Sequence, residues 1–210
     1  VIEFGAGNGS FMSGLIKYLL GSSKNFLKGV SFIIIEPNKG MVEKQKNKLE
    51  DFLNLGIDIL WKGLEEIEEN NINGIVIANE VLDALPVERI TFSKEKLFRQ
   101  AVSIDKKSCT LFLDEMPITS ELEKSIELAK SELGITIPPK DALEGWTTEW
   151  HVDNSEWLKA LYGKINNGIL LIIDYAKEAE KYYTSRNSDG TIVAYKNQKM
   201  IPDVLDSPGN

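Results

Sequence analysis

The sequence predicts an α/β fold: a mostly parallel, twisted sheet with helices on both faces and an inserted α+β segment. Three observations predict it. Apolar β-like runs alternate with helix-period stretches over the first 90 residues, a rhythm that favours parallel strands joined by right-handed crossovers. A glycine-rich turn, Gly5-Ala6-Gly7-Asn8-Gly9, follows the first of those runs and opens the first helical stretch. After Pro86 the spacing tightens into short strands with polar links, and a very apolar run at residues 169–173 then returns to the earlier pattern.

Taken in order, residues 1–4 read as the end of a strand. Phe11, Leu15 and Leu19 recur at helical spacing beside Met12 and Ile16, and Gly21 is expected to stop that helix. Residues 30–35 form a buried strand. Asn38 is placed to cap a second helix, whose Val42, Gln45, Leu49, Phe52 and Leu53 face one way. Residues 57–61 and 74–78 read as the third and fourth strands. Residues 89–92, 101–104 and 110–113 then suit antiparallel pairing. Ser120 starts a helix, with Glu123 completing a capping box; Leu122, Ile126, Ala129 and Leu133 make its apolar face and Gly134 ends it. Residues 135–148, with Pro138-Pro139 and Gly145, read as an irregular stretch suited to a mobile loop over a site. Residues 155–165 are helical, with Trp157, Leu158 and Leu161 inward, and residues 191–195 are the last strand candidate. The expected division is a cofactor-binding half at 1–85, an inserted substrate-contact segment at 86–148 and a return to the core sheet at 149–210, in one domain. The chain opens on Val1-Ile2-Glu3 and closes on Pro208-Gly209-Asn210, so it reads as part of a longer protein truncated at both ends.

Composition narrows the function classes. A formal net charge of −8 repels phosphates, which argues against a nucleic acid partner. The apolar runs are too short to span a bilayer. Cys109 is the sole cysteine, so no intrachain disulfide or cysteine-based metal site is expected, and its apolar neighbours suggest a small core residue. His151 is the sole histidine, which excludes a histidine-rich metal site; the expected metal is none.

The chemistry sits first in Glu3-Phe4-Gly5-Ala6-Gly7-Asn8-Gly9. A glycine turn between strand and helix lets a ligand approach the backbone. Ser10 stands where a dinucleotide site usually has its third glycine, so the pattern is the shorter G-x-G-x-G of class I, Rossmann-like methyltransferases, led by an acid two residues before the first glycine. The cofactor expected is S-adenosylmethionine, whose cationic tail suits Glu3 better than a pyrophosphate would. Glu36 closes the second strand, 27 residues beyond Gly9, where a carboxylate can accept from both ribose hydroxyls. Residues 61–64 follow the third strand, and Leu64 is placed to frame an adenine ring. Cofactor-binding residues are thus Glu3, Gly5, Gly7, Gly9, Glu36, Leu64 and Asn79.

The second informative stretch runs Asn79-Glu80-Val81-Leu82-Asp83-Ala84-Leu85-Pro86-Val87. Ligands lie at the carboxyl ends of parallel strands, so Asn79 and Glu80 should face the methyl group. Glu80 and Asp83, three apart, would share one face of a short helix, clamp a guanidinium or ammonium and take its proton. The plainer alternative is a cap at Asn79 and a solvated acid at Asp83.

This stretch resembles the Asn-Glu-x-x-Asp-Ala-Leu-Pro-Val block of the MidA family. Glu3 to Gly9, Ile35-Glu36-Pro37-Asn38, Ile172-Ile173-Asp174-Tyr175, Gly190-Thr191 and Pro208-Gly209 agree with it. The resemblance implies S-adenosylmethionine-dependent methylation of protein arginine, linked in mitochondrial members to respiratory complex I assembly, with Glu80 and Asp83 near the substrate. It implies a protein partner, a respiratory complex subunit being the candidate, with a homo-oligomer compatible. The location implied is the bacterial cytoplasm or the mitochondrial matrix. Val193 and Lys196-Asn197-Gln198 depart from the arginine and histidines of the family, and Ala176 from its glycine; if those histidines bind substrate, the target differs. Two other readings fit the motifs: a small-molecule methyltransferase, and a non-catalytic assembly factor that keeps the cofactor pocket. A dehydrogenase is weakened by Ser10.

His151, beside Glu149 and Trp150, reads as structural. Asp174 and Tyr175 end a buried strand at the ligand edge, where cleft and packing roles weigh equally. Trp146, Trp150 and Trp157 suit either a substrate groove or a small core.

Overall fold

The computed structural model describes residues 1–196, 199–201 and 203–205. Asn197, Gln198 and the closing Pro208-Gly209, noted above, lie outside the described residues. In chain order the elements are β1 (Ile2–Phe4), α1 (Ser10–Ser22), β2 (Phe32–Ile35), α2 (Lys39–Asn54), β3 (Ile59–Trp61) and β4 (Ile72–Asn79). There follow β5 (Glu88–Ser93), β6 (Lys96–Asp105), β7 (Thr110–Pro117), α3 (Ser120–Leu133) and β8 (Thr147–Trp150). Last come α4 (Asn154–Lys164), β9 (Ile165–Ile173), α5 (Ala179–Tyr182), β10 (Ala194–Lys196) and β11 (Lys199–Ile201). Internal contacts divide the chain into two compact units: Val1–Leu85 with Asn154–Tyr175, and Pro86–Asp153 with the chain from Ala176 onward.

The first unit holds a five-stranded sheet of order β3-β2-β1-β4-β9, parallel throughout. Strand β1 lies at its centre, which is why Ile2, Glu3 and Phe4 are all buried despite alternating between faces. One face carries Phe32 and Ile34 against Met12 and Ile16 of α1 and Leu49 of α2. The other carries Phe4, Ile35 and Val76 against Leu161 of α4, with Trp157 edge-on to Phe4 at 5.2 Å between ring centroids. Each of these wholly buried side chains contributes roughly 1.5–3 kcal/mol of apolar transfer. Helices therefore cover both faces, as the alternating pattern predicts. Asn38 caps α2 as expected, its side-chain oxygen accepting from the amides of Gly40 and Met41.

Several local expectations give way. In α1 Met12 and Ile16 are fully buried and Leu15 and Leu19 pack half-buried on the same cluster, while Phe11 is 51% exposed. Gly21 lies inside α1, which ends at Ser22. On α2, Leu53 is exposed and Gln45 is fully buried. Along β9, Ile169, Leu171 and Ile173 are exposed on one face, as is their neighbour Ile75 of β4, while Leu170 and Ile172 pack on the other.

The second unit holds an antiparallel sheet of order β7-β6-β5-β8. Ile90, Leu122, Ile126, Trp146 and Trp150 form its core, so those two tryptophans pack internally. Thr119, one residue before the predicted start, caps α3 by accepting from the Leu122 amide, which removes the Ser120–Glu123 capping box. Gly134 ends that helix at φ +70°, as expected, but Leu133 is 71% exposed. The stretch at 135–148 is not loop throughout: Trp146 is buried and β8 starts at Thr147, pairing with β5. Residues 149–153 and the chain from 176, expected to return to the core sheet, group with this unit. Cys109 is exposed, at φ +56° in the turn between β6 and β7, because turn geometry outweighs its apolar neighbours. The strand expected at 191–195 is β10, which begins at Ala194 and pairs antiparallel with β11. Among the described residues no helix is long and apolar enough to cross a membrane.

Candidate cofactor and acceptor site

The glycine turn leaves β1 at its carboxyl end. Gly5, Gly7 and Gly9 all adopt positive φ, +57°, +53° and +78°, where a side chain costs about 1–2 kcal/mol. At Gly7 nothing lies within 4 Å of where a Cβ would stand, so conformation alone demands glycine there. Gly9 is the N-cap of α1 and has no side chain to cap it; Asn8 Oδ1 accepts from the Ser10 amide at 3.1 Å.

Glu3 alternates with Ile2 and Phe4 and so faces the side of the sheet that α1 covers, between Ile34 and Ile77 in register. It is 4% exposed, and its Oε2 has no hydrogen-bond partner among the described residues. Burial among these apolar neighbours pushes its carboxyl up to about 7. A buried acid with an unpartnered oxygen beside a glycine-rich turn has room in its bonding for a cationic group.

Glu36 lies just past β2. Its Oε1 accepts from the Asn38 amide at 3.0 Å and its Oε2 from Gln45 Nε2 at 3.1 Å, leaving one lone-pair direction on each oxygen for a diol. The same Gln45 nitrogen donates to the Gly7 carbonyl at 2.8 Å, and Trp61 Nε1 donates to Gln45 Oε1 at 2.9 Å. Loops after β1, β2 and β3 are thereby tied together. Leu64, half-buried, packs on the cluster of Ile2, Phe4 and Ile35.

At the end of β4, Asn79 and Glu80 are exposed, and Glu80 adopts φ +51°, a strained backbone for a residue with a Cβ. The expected short helix is absent: residues 80–85 form consecutive turns, Ala84 N–H bonding to the Val81 carbonyl and Leu85 N–H to that of Leu82. Asp174, just past β9, fixes these turns by accepting from the amides of Leu82 (2.9 Å) and Asp83 (3.3 Å). Partial burial, then the charges of Asp174 and Glu80, push the Asp83 carboxyl up. Three acids thus gather at the carboxyl ends of β4 and β9. Tyr175 is 81% exposed rather than packed on the core. A separate cavity of about 530 Å³, lined by Val1, Val30, Ser31 and Asn73 among others, lies at the opposite, amino ends of the strands and takes no part in this site.

A family model described as "Putative S-adenosyl-L-methionine-dependent methyltransferase" matches residues 1–210. The chain belongs to that family. It is also similar to two crystal structures from Burkholderia thailandensis. One, a COG1565 superfamily member described as a "likely methyl transferase" and bound to S-adenosyl-homocysteine, is 25% identical with a TM-score of 0.77, covering 99% of this chain and 50% of that one. The other, a native structure of an uncharacterized COG1565 superfamily protein, is 25% identical with a TM-score of 0.76, covering 98% and 50%. The chain spans about half the length of these solved structures.

For this methyltransferase family member, Glu3, Gly5, Gly7, Gly9, Glu36, Asn79, Glu80 and Asp83 all lie in the first unit at the carboxyl ends of β1, β2 and β4. Sequence reasoning undervalued two residues. Gln45 was readable as the one polar position on an apolar helix stripe. Asp174 was readable as an acid ending a strand, but its bonds to the turn at 82–83 span some 90 residues and leave no local signal.

Proposed function

We propose that this protein is an S-adenosylmethionine-dependent methyltransferase of the MidA type that methylates arginine on a protein substrate, a respiratory complex subunit. The buried Glu3 carboxylate with a free Oε2 beside the glycine turn carries the cofactor half of this reading. Glu3 would hold the methionine ammonium group, the turn at Gly5, Gly7 and Gly9 the backbone contacts, Glu36 the ribose hydroxyls, and Leu64 and Asn79 the adenine side and methyl end. When bound, S-adenosylmethionine supplies an electrophilic methyl group on sulfur. The acids Glu80, Asp83 and Asp174 suit a guanidinium, which offers five donors in a planar fork. As an acceptor nitrogen bonds to the methyl carbon, the carbon–sulfur pair leaves with sulfur and the nitrogen must lose a proton. Asp83, whose carboxyl is pushed up by partial burial and by the charges of Asp174 and Glu80, would take that proton. The MidA assignment and the link to complex I assembly rest on the 79–87 block.

Titration of the longest soluble form with S-adenosylmethionine, S-adenosylhomocysteine and NAD, repeated on Glu36→Ala, tests the cofactor. Transfer of labelled methyl to an arginine peptide tests the acceptor, with Asp83→Asn expected to lose roughly 100-fold in rate at unchanged S-adenosylhomocysteine affinity. Tight NAD binding alone would sink the cofactor reading, and label confined to small metabolites the acceptor reading.

A further inference from the structure

Gln45 is the only polar residue among the wholly buried side chains of α2, and a core position there is ordinarily filled by Leu or Met. Its amide is instead used three times. Nε2 donates to the Gly7 carbonyl (2.8 Å) and to Glu36 Oε2 (3.1 Å), and Oε1 accepts from Trp61 Nε1 (2.9 Å). The reverse orientation of the amide would set oxygen against a carbonyl and a carboxylate, and N–H against N–H, so the network fixes it. The three partners come from the loop after β1, the residue after β2 and the last residue of β3. Each belongs to a different segment of the candidate cofactor site.

We propose that Gln45 is the positioning residue of that site, holding the Glu36 carboxylate in the plane that accepts both ribose hydroxyls and keeping the glycine turn and Trp61 in register with it. This rests on the cofactor reading given above. The consequence for Glu36 is geometric. With Asn38 N–H on one oxygen and Gln45 on the other, the carboxylate cannot rotate, and each oxygen presents its remaining lone pair in a set direction. Gln45 also packs under Gly9, whose Cβ position lies 3.5 Å from its Cγ, so the side chain supports the turn as well as bonding to it. Trp61 is restrained a second time by Lys46, whose Nζ lies 5.5 Å from the ring centroid. Loss of Gln45 therefore frees Glu36 and the turn while leaving every cofactor-contacting group present.

The test is the affinity of S-adenosylhomocysteine and of its 2′-deoxy analogue for wild type, Gln45→Met, Glu36→Ala and the double variant, by calorimetry. Wild type should prefer the ribose form by about tenfold or more, the worth of a hydrogen bond to a charged group. Gln45→Met should bring that preference to within about twofold, and in the Glu36→Ala background it should change the preference no further. A purely structural role would weaken both ligands equally and keep the ratio; that outcome overturns the proposal. Should Gln45→Met not fold, Gln45→Asn, which keeps a buried amide but draws it back by one methylene, must show the same collapse or the proposal fails. A wild type that binds neither ligand, or both equally, overturns the cofactor reading itself, and the positioning role with it.

Discussion

Glu3 offers the sharpest test of the site because its charge is costly without a ligand and useful with one. Its carboxyl moves from an ordinary value of 4.5 to about 7 on burial. At 1.36 kcal/mol per unit that shift corresponds to roughly 3 kcal/mol, and solvent reaching part of the group reduces it to about 2 kcal/mol. The sign follows from linkage. The folded state holds the proton more tightly than the unfolded chain, so ligand-free stability is highest below pH 4.5 as far as Glu3 is concerned. It declines as pH rises from 4.5 through 7, where the cost is complete. A ligand ammonium group against Oε2 reverses the preference, so binding below pH 7 must release close to one proton. Between pH 7.5 and pH 6.0 the ionised fraction falls by about tenfold, and S-adenosylhomocysteine affinity should fall with it. Calorimetry in two buffers of different ionisation heat measures both the affinity and the proton count. In Glu3→Gln the pH slope of affinity should vanish, affinity at pH 7.5 should drop by about tenfold to a hundredfold, and ligand-free stability should decline less steeply than in wild type between pH 4.5 and 7. Wild-type affinity in Glu3→Gln, or a wild type whose affinity ignores pH across this range, refutes the assignment of Glu3 to the ligand ammonium.

Two further predictions concern the scaffold. Asn38→Ala removes the oxygen that accepts from Gly40 and Met41 and should cost about 1 kcal/mol in urea unfolding, with S-adenosylhomocysteine affinity little changed because the backbone amide that donates to Glu36 remains. An unchanged midpoint would show that the cap is dispensable. In the second unit, Glu149 is buried and accepts from the Tyr182 hydroxyl (2.7 Å) and from the amide (2.8 Å) and hydroxyl (3.1 Å) of Thr191, with Arg89 Nε at 3.7 Å. Glu149→Ala leaves Arg89 without this partner and should destabilise by about 3–5 kcal/mol, read by chemical denaturation; a loss below 1 kcal/mol would contradict the network.

The network around Glu149 also explains one motif that sequence alone left without a role. Gly190, at φ +74°, stands so close to the Glu149 carboxylate that a Cβ would collide with it, and Thr191 binds the same group. Nothing local to Gly190-Thr191 announces an acid some 40 residues earlier. The acids of the proposed acceptor site behave likewise. Glu80 and Asp83 are readable as a pair, but their three-residue spacing suggests a helix, whereas Asp174 captures the amides at 82 and 83 and holds turns instead.

What the sequence by itself determined are the features whose causes are local. The parallel sheet with helices on both faces follows from alternating strand and helix periods. The glycine turn follows from three residues that tolerate positive φ, and the α2 cap from an Asn whose oxygen reaches amides two and three residues on. Tertiary structure alone decided which residues of α1 are fully buried and that β8 joins β5. It alone decided that Gln45 faces Gly7, Glu36 and Trp61. The physical reason is common to all of these: a residue's periodicity and backbone preference are set by its neighbours in the chain, but which polar group satisfies another in the interior depends on segments that only folding brings within 3 Å.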